Sequence, residues 1–256
     1  MAKYYFVTTL LPPLKIGTPP EIDSAELDFI LKQNLTKCDY QKVIVLRRLV
    51  EIENIRYFWQ GAPIEAGGNF DEKEVEENLL HHEAYPSYVF QFMEKYEDTK
   101  ERLKHFPELL KDFFRYELKG KDGFVKEYLQ FEWEWRLVFV ALRAKNLGRS
   151  LASELQEEDP EDPFVQQILE QKDAETYIPP AKFAELKEIY EAKKSNPLDL
   201  ALTLSQWRFD RIEDMVGWHT FDVYRVLGYV IQHKIVEKWL KLDKKKGLEI
   251  IEQVLA

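Results

Sequence analysis

The stretch that most constrains the fold is residues 124–148, FVKEYLQFEWEWRLVFVALRAKNLG. It predicts one long helix that ends at Gly148, because glycine readily adopts the left-handed conformation that follows many helices. Its apolar residues form two nearly opposite faces: Tyr128, Phe131, Trp135, Val138, Phe139 and Leu142 on one, Leu129, Trp133, Leu137 and Val140 on the other. A helix that is apolar nearly all round is buried by several neighbours, so we expect it at the centre of a helical protein.

Most other breaks in the chain are residues that begin or end helices. Asp23, with Glu26 three residues later, predicts the start of a first helix. Asp39 predicts the start of a second, residues 40–60, which Gly61 ends. Capping residues, prolines and glycines delimit seven further segments with helical periodicity. These segments are residues 71–82, 88–105, 107–119, 163–172, 181–194, 198–215 and 221–242.

The N-terminal segment has a different pattern. Residues 4–11, YYFVTTLL, favour a β-strand because aromatic and β-branched residues predominate. The Pro12-Pro13 and Pro19-Pro20 pairs predict extended backbone after it. No hairpin signal joins this segment to a second strand. The sequence therefore predicts an all-α fold, a multi-helix bundle with a short extended N-terminal segment.

Length, charge and cysteine content exclude several classes of protein. The 256 residues suffice for one large or two small domains. A net charge of −10 argues against a nucleic-acid binder, which needs a basic face to displace counterions from phosphates. A single cysteine, Cys38, excludes an internal disulfide and fits a reducing compartment. The apolar N-terminal run is broken too early by Pro12 for a signal peptide, and charges such as Glu132 interrupt every long apolar run. We expect a soluble, cytoplasmic protein.

Catalytic and metal-binding signatures are absent from the sequence. It lacks the phosphate loop GxxxxGK[ST], the dinucleotide motif GxGxxG and the nucleophile elbow GxSxG. His81, His82 and Glu83 form the nearest approach to a ligand cluster, but adjacent helical residues point about 100° apart. We interpret them as a solvated helix end, and Cys38 as a small buried apolar group. We expect no catalytic site, metal or cofactor.

Two helical segments contain charges within apolar runs. One is RRLVEIENIRYFWQG, residues 47–61, and the other is the central helix. Buried charges need partners, and Arg pairs well with carboxylates. We therefore predict a lattice of ion pairs between the two segments that fixes their register, with a partner-binding role as the alternative. Its candidate members are Arg48, Glu51, Glu53, Glu132, Glu134, Arg136 and Arg143.

Lysines crowd the end of the last long helix, from Lys234 to Lys246. The helix macrodipole alone favours cations at that position. The functional alternative is contact with an acidic surface or with lipid headgroups.

Four blocks of the sequence resemble a known family in their order and spacing. They are YYFVTTLLPPL, RRLVEIENIRYFWQG, the helix around residues 131–143, and EDPEDPFVQQILEQKD. The chain resembles, over nearly its whole length, uncharacterised bacterial proteins that chlamydiae and some other bacteria encode among their V-type (A/V-type) ATP synthase subunits. The resemblance implies a replacement for the rotor socket of these enzymes, the component called C in bacteria and d in eukaryotes. That socket is all-helical, sits on the membrane rotor ring and receives the foot of the central stalk.

The rotor socket contains three similar lobes, each with a helix of the pattern E-x-x-N-[IL]-[KR] that ends near a glycine. Residues 51–56, EIENIR, match this pattern and precede Gly61. Residues 134–148 and 234–247 resemble it only faintly, because they lack the asparagine. The candidate lobes are residues 1–120, 121–196 and 197–256. The chain is shorter than the usual rotor socket, so a lobe is expected to be trimmed or missing.

The resemblance implies a non-catalytic component that couples the central stalk to the rotor ring in proton or sodium transport. Its expected partners are the stalk subunits and the ring, and its expected location is peripheral, on the cytoplasmic face of the inner membrane through the complex alone. The candidate interface residues are Arg47, Arg56, Lys241, Lys244 and Lys245. Rigidity is expected from an aromatic core that contains the tryptophans at 59, 133, 135, 207, 218 and 239.

Two alternatives come from other classes. The first is a stand-alone cytoplasmic helical adaptor that binds a different protein. The second is an enzyme whose site is assembled from distant residues such as Glu132 and His219.

Overall fold

A computed structural model describes the backbone of residues 3–255 and the side chains of residues 3–243. Within this part of the chain the fold is all-α, as the sequence predicts, and the one β pairing is an isolated antiparallel bridge between Lys3 and Asp222. None of the described helices combines the length and the apolar character that crossing a bilayer requires.

The described helices follow one another with short connections. In chain order they are α1 (Tyr5–Leu10), α2 (Ser24–Asn34), α3 (Lys37–Trp59), α4 (Glu72–His81), α5 (Ser87–Lys95), α6 (Thr99–Lys104), α7 (Phe106–Leu118), α8 (Gly123–Asn146), α9 (Leu151–Glu154), α10 (Pro163–Leu169), a 3₁₀ turn (Ala181–Phe183), α11 (Ala184–Lys193), α12 (Pro197–Val216) and α13 (Val223–Leu255).

The chain forms two compact units. Unit 1 contains Met1–Val43 and Ile178–Ala256, and unit 2 contains Ile44–Tyr177. Unit 2 is therefore inserted into the sequence of unit 1, and α3 belongs to both. These boundaries differ from those of the three candidate lobes.

Helix α8 is the central helix that the sequence predicts. It packs against α7, α9 and α10 in unit 2. Side chains around its whole circumference are buried, including Phe124, Leu129, Val138 and Ala141. It ends before Gly148, whose φ of 64° lies in the left-handed region.

In unit 1, α12 and α13 form the most extensive helix pair, and α1 packs on α2 and α13. Gly228 of α13 lies so close to Val216 of α12 that a Cβ atom at this position would overlap the valine side chain. The core of this unit includes Trp207, Ile212 and Val226.

Local capping signals explain where several helices begin. The Asp23 carboxylate accepts the N–H groups of Ala25 and Glu26 at 2.9 and 2.8 Å. Asp71 and Glu74 form a reciprocal capping box at the start of α4. Both starts are confirmed.

Three expectations about helix boundaries were wrong. Residues 4–11 contain helix α1 and not a strand; the hydroxyl of Thr8 donates to the Tyr4 carbonyl at 2.8 Å, one helical turn back. Helix α3 begins before Asp39, because the Thr36 hydroxyl accepts the Asp39 N–H at 3.2 Å and so caps the helix. Residues 88–105 form two helices, and Asp98 caps the second.

Candidate interaction surface

A cluster of charges in unit 2 ties α3 to α8. A guanidinium nitrogen of Arg136 lies 3.0 Å from the Glu53 carboxylate across the two helices. Arg56 pairs with the same carboxylate at 2.6 Å. Fully buried Glu132 accepts the Trp135 indole N–H at 2.9 Å and lies 3.5 Å from Arg136. The structure therefore brings Glu53, Glu132 and Arg136 of the predicted lattice together.

The other residues of the predicted lattice have different partners. Arg48 pairs with Glu117 of α7, which the sequence did not suggest. Glu134 accepts a hydrogen bond from Gln130 at 3.0 Å, one turn earlier in α8. Arg143 is exposed near Arg149 and Glu154. Arg48 and Glu134 thus have partners that the predicted lattice did not contain.

Glu51 and Asn54, the two signature residues of the E-x-x-N pattern, hold the loop that follows α3. Both are fully buried. Asn54 donates to the Glu65 carbonyl at 3.0 Å and accepts the Glu65 N–H at 2.8 Å. Glu51 accepts N–H groups of Asn69 and Phe70, the latter at 3.1 Å. The pattern thus has a structural role, because its two buried side chains supply hydrogen-bond partners to the backbone of the loop.

The candidate interface residues lie in different environments. Arg47 is only 7% exposed, so its assignment to an exposed interface was wrong. Arg56 stacks on Tyr57 and Phe106, besides its ion pair with Glu53. Lys241 is exposed on α13. The side chains of Lys244 and Lys245 lie outside the described residues.

Unit 1 has a group of exposed, mostly aromatic side chains that the sequence analysis did not predict. Helix α1 and the loop at residues 217–222 carry five such residues, which we name the aromatic surface: Tyr5, Phe6, Leu10, Trp218 and Phe221. Their exposed fractions are 56, 65, 45, 84 and 38%. The prediction that Trp218 lies in the core was wrong, because this residue lies in the short loop after α12 and exposes 84% of its surface.

Backbone and ring contacts join the two segments of the aromatic surface. The Tyr4 N–H donates to the Phe221 carbonyl at 2.6 Å, and the Tyr5 and Phe221 rings lie 5.0 Å apart. Tyr4 itself is buried, and its hydroxyl donates to the Asp39 carboxylate.

Burial alone would raise the pKa of the Asp39 carboxyl group. Hydrogen bonds from Lys42 and Tyr4 outweigh this effect and hold that pKa below its usual value.

The loop that carries Trp218 is ordered by its neighbours. The His219 ring lies between Trp218 and Tyr224, with ring centroids 4.2 Å away on each side. His219 Nδ1 is 2.5 Å from the buried Asp222 carboxylate, which also accepts the Tyr224 N–H at 3.0 Å. Trp218 is thus exposed yet stacked on a ring that has its own partners, and such a contact reduces the conformational entropy that the side chain loses on binding.

Among the described residues, one group has the spacing for a metal ion: His105, Glu108 and Glu157, with ligand atoms within 4.8 Å of one another. Glu108 already binds Lys95 at 2.7 and 2.9 Å and the Tyr96 hydroxyl at 2.7 Å. His105 Nδ1 lies 3.0 Å from Glu157. A metal ion would have to displace Lys95, so we interpret this group as ion pairs.

The remaining candidate residues from the sequence are divided between the two units. His81 and His82 are exposed at the end of α4, as predicted for a solvated helix end. Cys38 is exposed, so its assignment to a buried position was wrong; it faces outward in the first turn of α3. Glu132 and His219 bond Trp135 and Asp222, each within its own unit.

Comparison with known proteins places the chain in a family. An uncharacterized protein of Chlamydia trachomatis is 30% identical over 256 residues, which cover 97% of this chain and 96% of the relative. Similar proteins of Chlamydia muridarum and Chlamydia pneumoniae are 27 and 26% identical, over 98 and 99% of this chain and 97 and 98% of theirs. No solved structure matches the chain. The family described as "Protein of unknown function (DUF2764)" matches residues 1–256, and the protein belongs to that family.

Proposed function

We propose that this protein is a non-catalytic adaptor within a V-type ATP synthase. In this role it couples the central stalk to the membrane rotor ring in proton or sodium transport, on the cytoplasmic face of the membrane and without a cofactor. The observation that carries the adaptor role is the aromatic surface. Tryptophan and tyrosine are among the side chains that contribute most to binding at protein interfaces, and this surface exposes Trp218 and Tyr5.

The assignment to the V-type complex rests on the four sequence blocks that resemble proteins encoded with its subunits. A part that transmits torque must resist shear between its helices. The contact of Arg136 with Glu53 is suited to this requirement, because it links two helices whose residues are 83 positions apart in sequence.

The first experiment is a pull-down of the tagged full chain from detergent-solubilised membranes of its host, with identification by mass spectrometry. We expect catalytic-head, stalk and ring subunits to be recovered together. The double variant Phe6→Ser/Trp218→Ser should lose them, because it removes two anchors of the aromatic surface. Leu80→Ser is the matched control, since Leu80 is 72% exposed on α4 and lies outside that surface.

Three outcomes decide between the hypotheses. Loss of the ATPase subunits in the double variant alone favours the proposal. Recovery of unrelated partners, lost in the same variant, favours the stand-alone adaptor and rejects the V-type assignment. Recovery that is equal in all three proteins rejects the aromatic surface as the binding site.

A further inference from the structure

Unit 2 contains a pocket of about 180 Å³ that is lined by residues of α7 and α8 and of the loop before α10. We name it the acidic pocket. Its wall combines apolar side chains with carboxylates: Phe114, Leu118 and Trp133, and Glu158, Asp159 and Asp162. The pocket is smaller than those that enclose a whole ligand, so its size suits one long side chain.

The three carboxylates of the acidic pocket form no ion pair with any described residue. Their hydrogen bonds come from the Trp133 indole and from backbone N–H groups of residues 161, 164 and 165. Two cations, Lys111 and Arg115, also line the pocket. The Lys111 ammonium group lies 3.7 Å from Asp112 and attracts Glu158 only from beyond ion-pair distance. Three carboxylates against two cations leave the wall with an excess of negative charge.

Glu158 is the partly buried member of this group that lacks a cation most clearly. One oxygen of its carboxylate accepts the Trp133 indole N–H at 3.3 Å. The other oxygen accepts no described hydrogen bond, and it is not among the polar atoms that are closed off from solvent, so it retains accessible surface. Burial raises the pKa of this carboxyl, which means that its charged form is poorly solvated. A cation bound at the free oxygen would stabilise the charged form.

The spacing of the carboxylates decides which kind of cation fits. A metal ion needs ligand atoms that converge on one point, and the one described group with that spacing is the cluster around His105, which does not include these three carboxylates. A guanidinium group spreads five N–H donors over a plane and can therefore bond carboxylates that lie further apart. Its methylene stem can pack on the apolar part of the wall.

We propose that the acidic pocket binds one arginine side chain of a partner protein. This site lies in unit 2, and it depends neither on the aromatic surface nor on the identity of the complex proposed above.

The test uses the full chain and the probe N-acetyl-argininamide. Titration of isotope-labelled protein, followed by NMR, should shift the indole N–H signal of Trp133, because this group bonds Glu158. Amide signals of the loop before α10 should shift with it. The variant Glu158→Gln should weaken binding at least about tenfold, the change expected when one charged hydrogen bond is lost. Glu161→Gln is the matched control, since Glu161 is exposed in the same loop but does not line the pocket.

Three further probes test the selectivity of the site. N-acetyl-citrullinamide has nearly the shape of the first probe but no charge, and it should bind at least about tenfold more weakly. N-acetyl-lysinamide should also bind more weakly, because an ammonium group is a point charge with fewer donors. Equal binding of either probe would overturn the proposal. Tighter binding of N-acetyl-glutamate amide would overturn it as well, since Lys111 and Arg115 would then determine the ligand.

A stability measurement separates this role from a purely structural one. The midpoint temperature of unfolding of Glu158→Gln should be at least that of wild type, because the variant loses a charge that has no cationic partner. Weaker binding without a loss of stability favours the proposal. Equal binding by Glu158→Gln and wild type, a lower midpoint temperature of the variant, or no shifts at the acidic pocket would reject it.

Discussion

Asn54 shows how much can depend on a single buried amide. It is fully buried and satisfies both the N–H and the C=O of Glu65. We expect Asn54→Ala to lower the free energy of unfolding by about 2–3 kcal/mol, because the loop loses two hydrogen bonds to a buried amide. Chemical denaturation would measure the change. The control Asn146→Ala, at an exposed position of α8, should change stability by less than about 0.5 kcal/mol.

At Glu158 we expect a substitution to raise the stability of the protein rather than lower it. Burial raises the pKa of its carboxyl, although the Trp133 indole donates to it at 3.3 Å. Because the folded-state pKa exceeds the unfolded one, the charged form costs stability, and this cost appears as the pH rises above the unfolded pKa. We expect Glu158→Gln to be more stable than wild type at pH 7, and equally stable once the pH falls below the ordinary pKa of glutamate.

Thermal unfolding at several pH values would measure this difference. Glu161→Gln is the control, since Glu161 is exposed in the same loop and its charge carries no burial cost. A stability gain for Glu158→Gln that does not change with pH would contradict the electrostatic explanation.

Single residues also mark where sequence reasoning fails. Composition shows that a charge inside an apolar run needs a partner, but it does not reveal which one. Arg48 and Glu117 are 69 positions apart, so only the folded structure shows that they pair. The exposure of Trp218 was also not predictable from composition. Tryptophan is usually buried, and only the arrangement of the neighbouring helices shows that this one is not.

At the scale of helices, the link between α3 and α8 can be measured directly. A double-mutant cycle with Glu53→Gln and Arg136→Gln should give a coupling energy of about 1 kcal/mol or more, because the pair is largely shielded from solvent. The exposed pair Lys73 and Glu77 in α4 should give about 0.3 kcal/mol in the same experiment. Equal coupling energies in the two pairs would show that the Glu53–Arg136 pair stabilises the contact between α3 and α8 no more than an exposed ion pair does.

Helices whose ends depend on local chemistry were predictable. Asp23, Asp71 and Asp162 cap α2, α4 and α10, and each bond spans only two or three residues. Helix α1 was not predictable in this way. Its aromatic and β-branched residues favour a strand, but a strand needs a neighbour to pair with, and the described chain offers only one isolated bridge.

For the whole molecule, the fold class followed from the sequence, but the division into two units did not. The boundary at residue 43 lies inside α3, where neither a linker nor a change in composition marks it. Domain boundaries are readable from sequence when they coincide with flexible segments, and this one does not.

Because unit 2 is compact, we expect it to fold without the rest of the chain. A fragment of residues 37–177, which retains the whole of α3, should fold by itself, because that unit has its own core around Leu109, Phe113 and Leu129. We expect helical circular dichroism, one cooperative thermal transition and a dispersed amide NMR spectrum. Helical content that melts gradually, without a transition, would contradict the independence of the unit.

The insertion of unit 2 into unit 1 also determines an order of events on the ribosome. Domains fold as they emerge, starting from the N-terminal side. Here the first 43 residues leave the ribosome early, but their packing partner α13 is synthesised only after the whole of unit 2. Val7 of α1, which is buried in the finished protein, therefore lacks the α13 side of its surroundings during that interval. Chaperone binding to the nascent chain should concentrate on α1, a helix that is synthesised long before its packing partner.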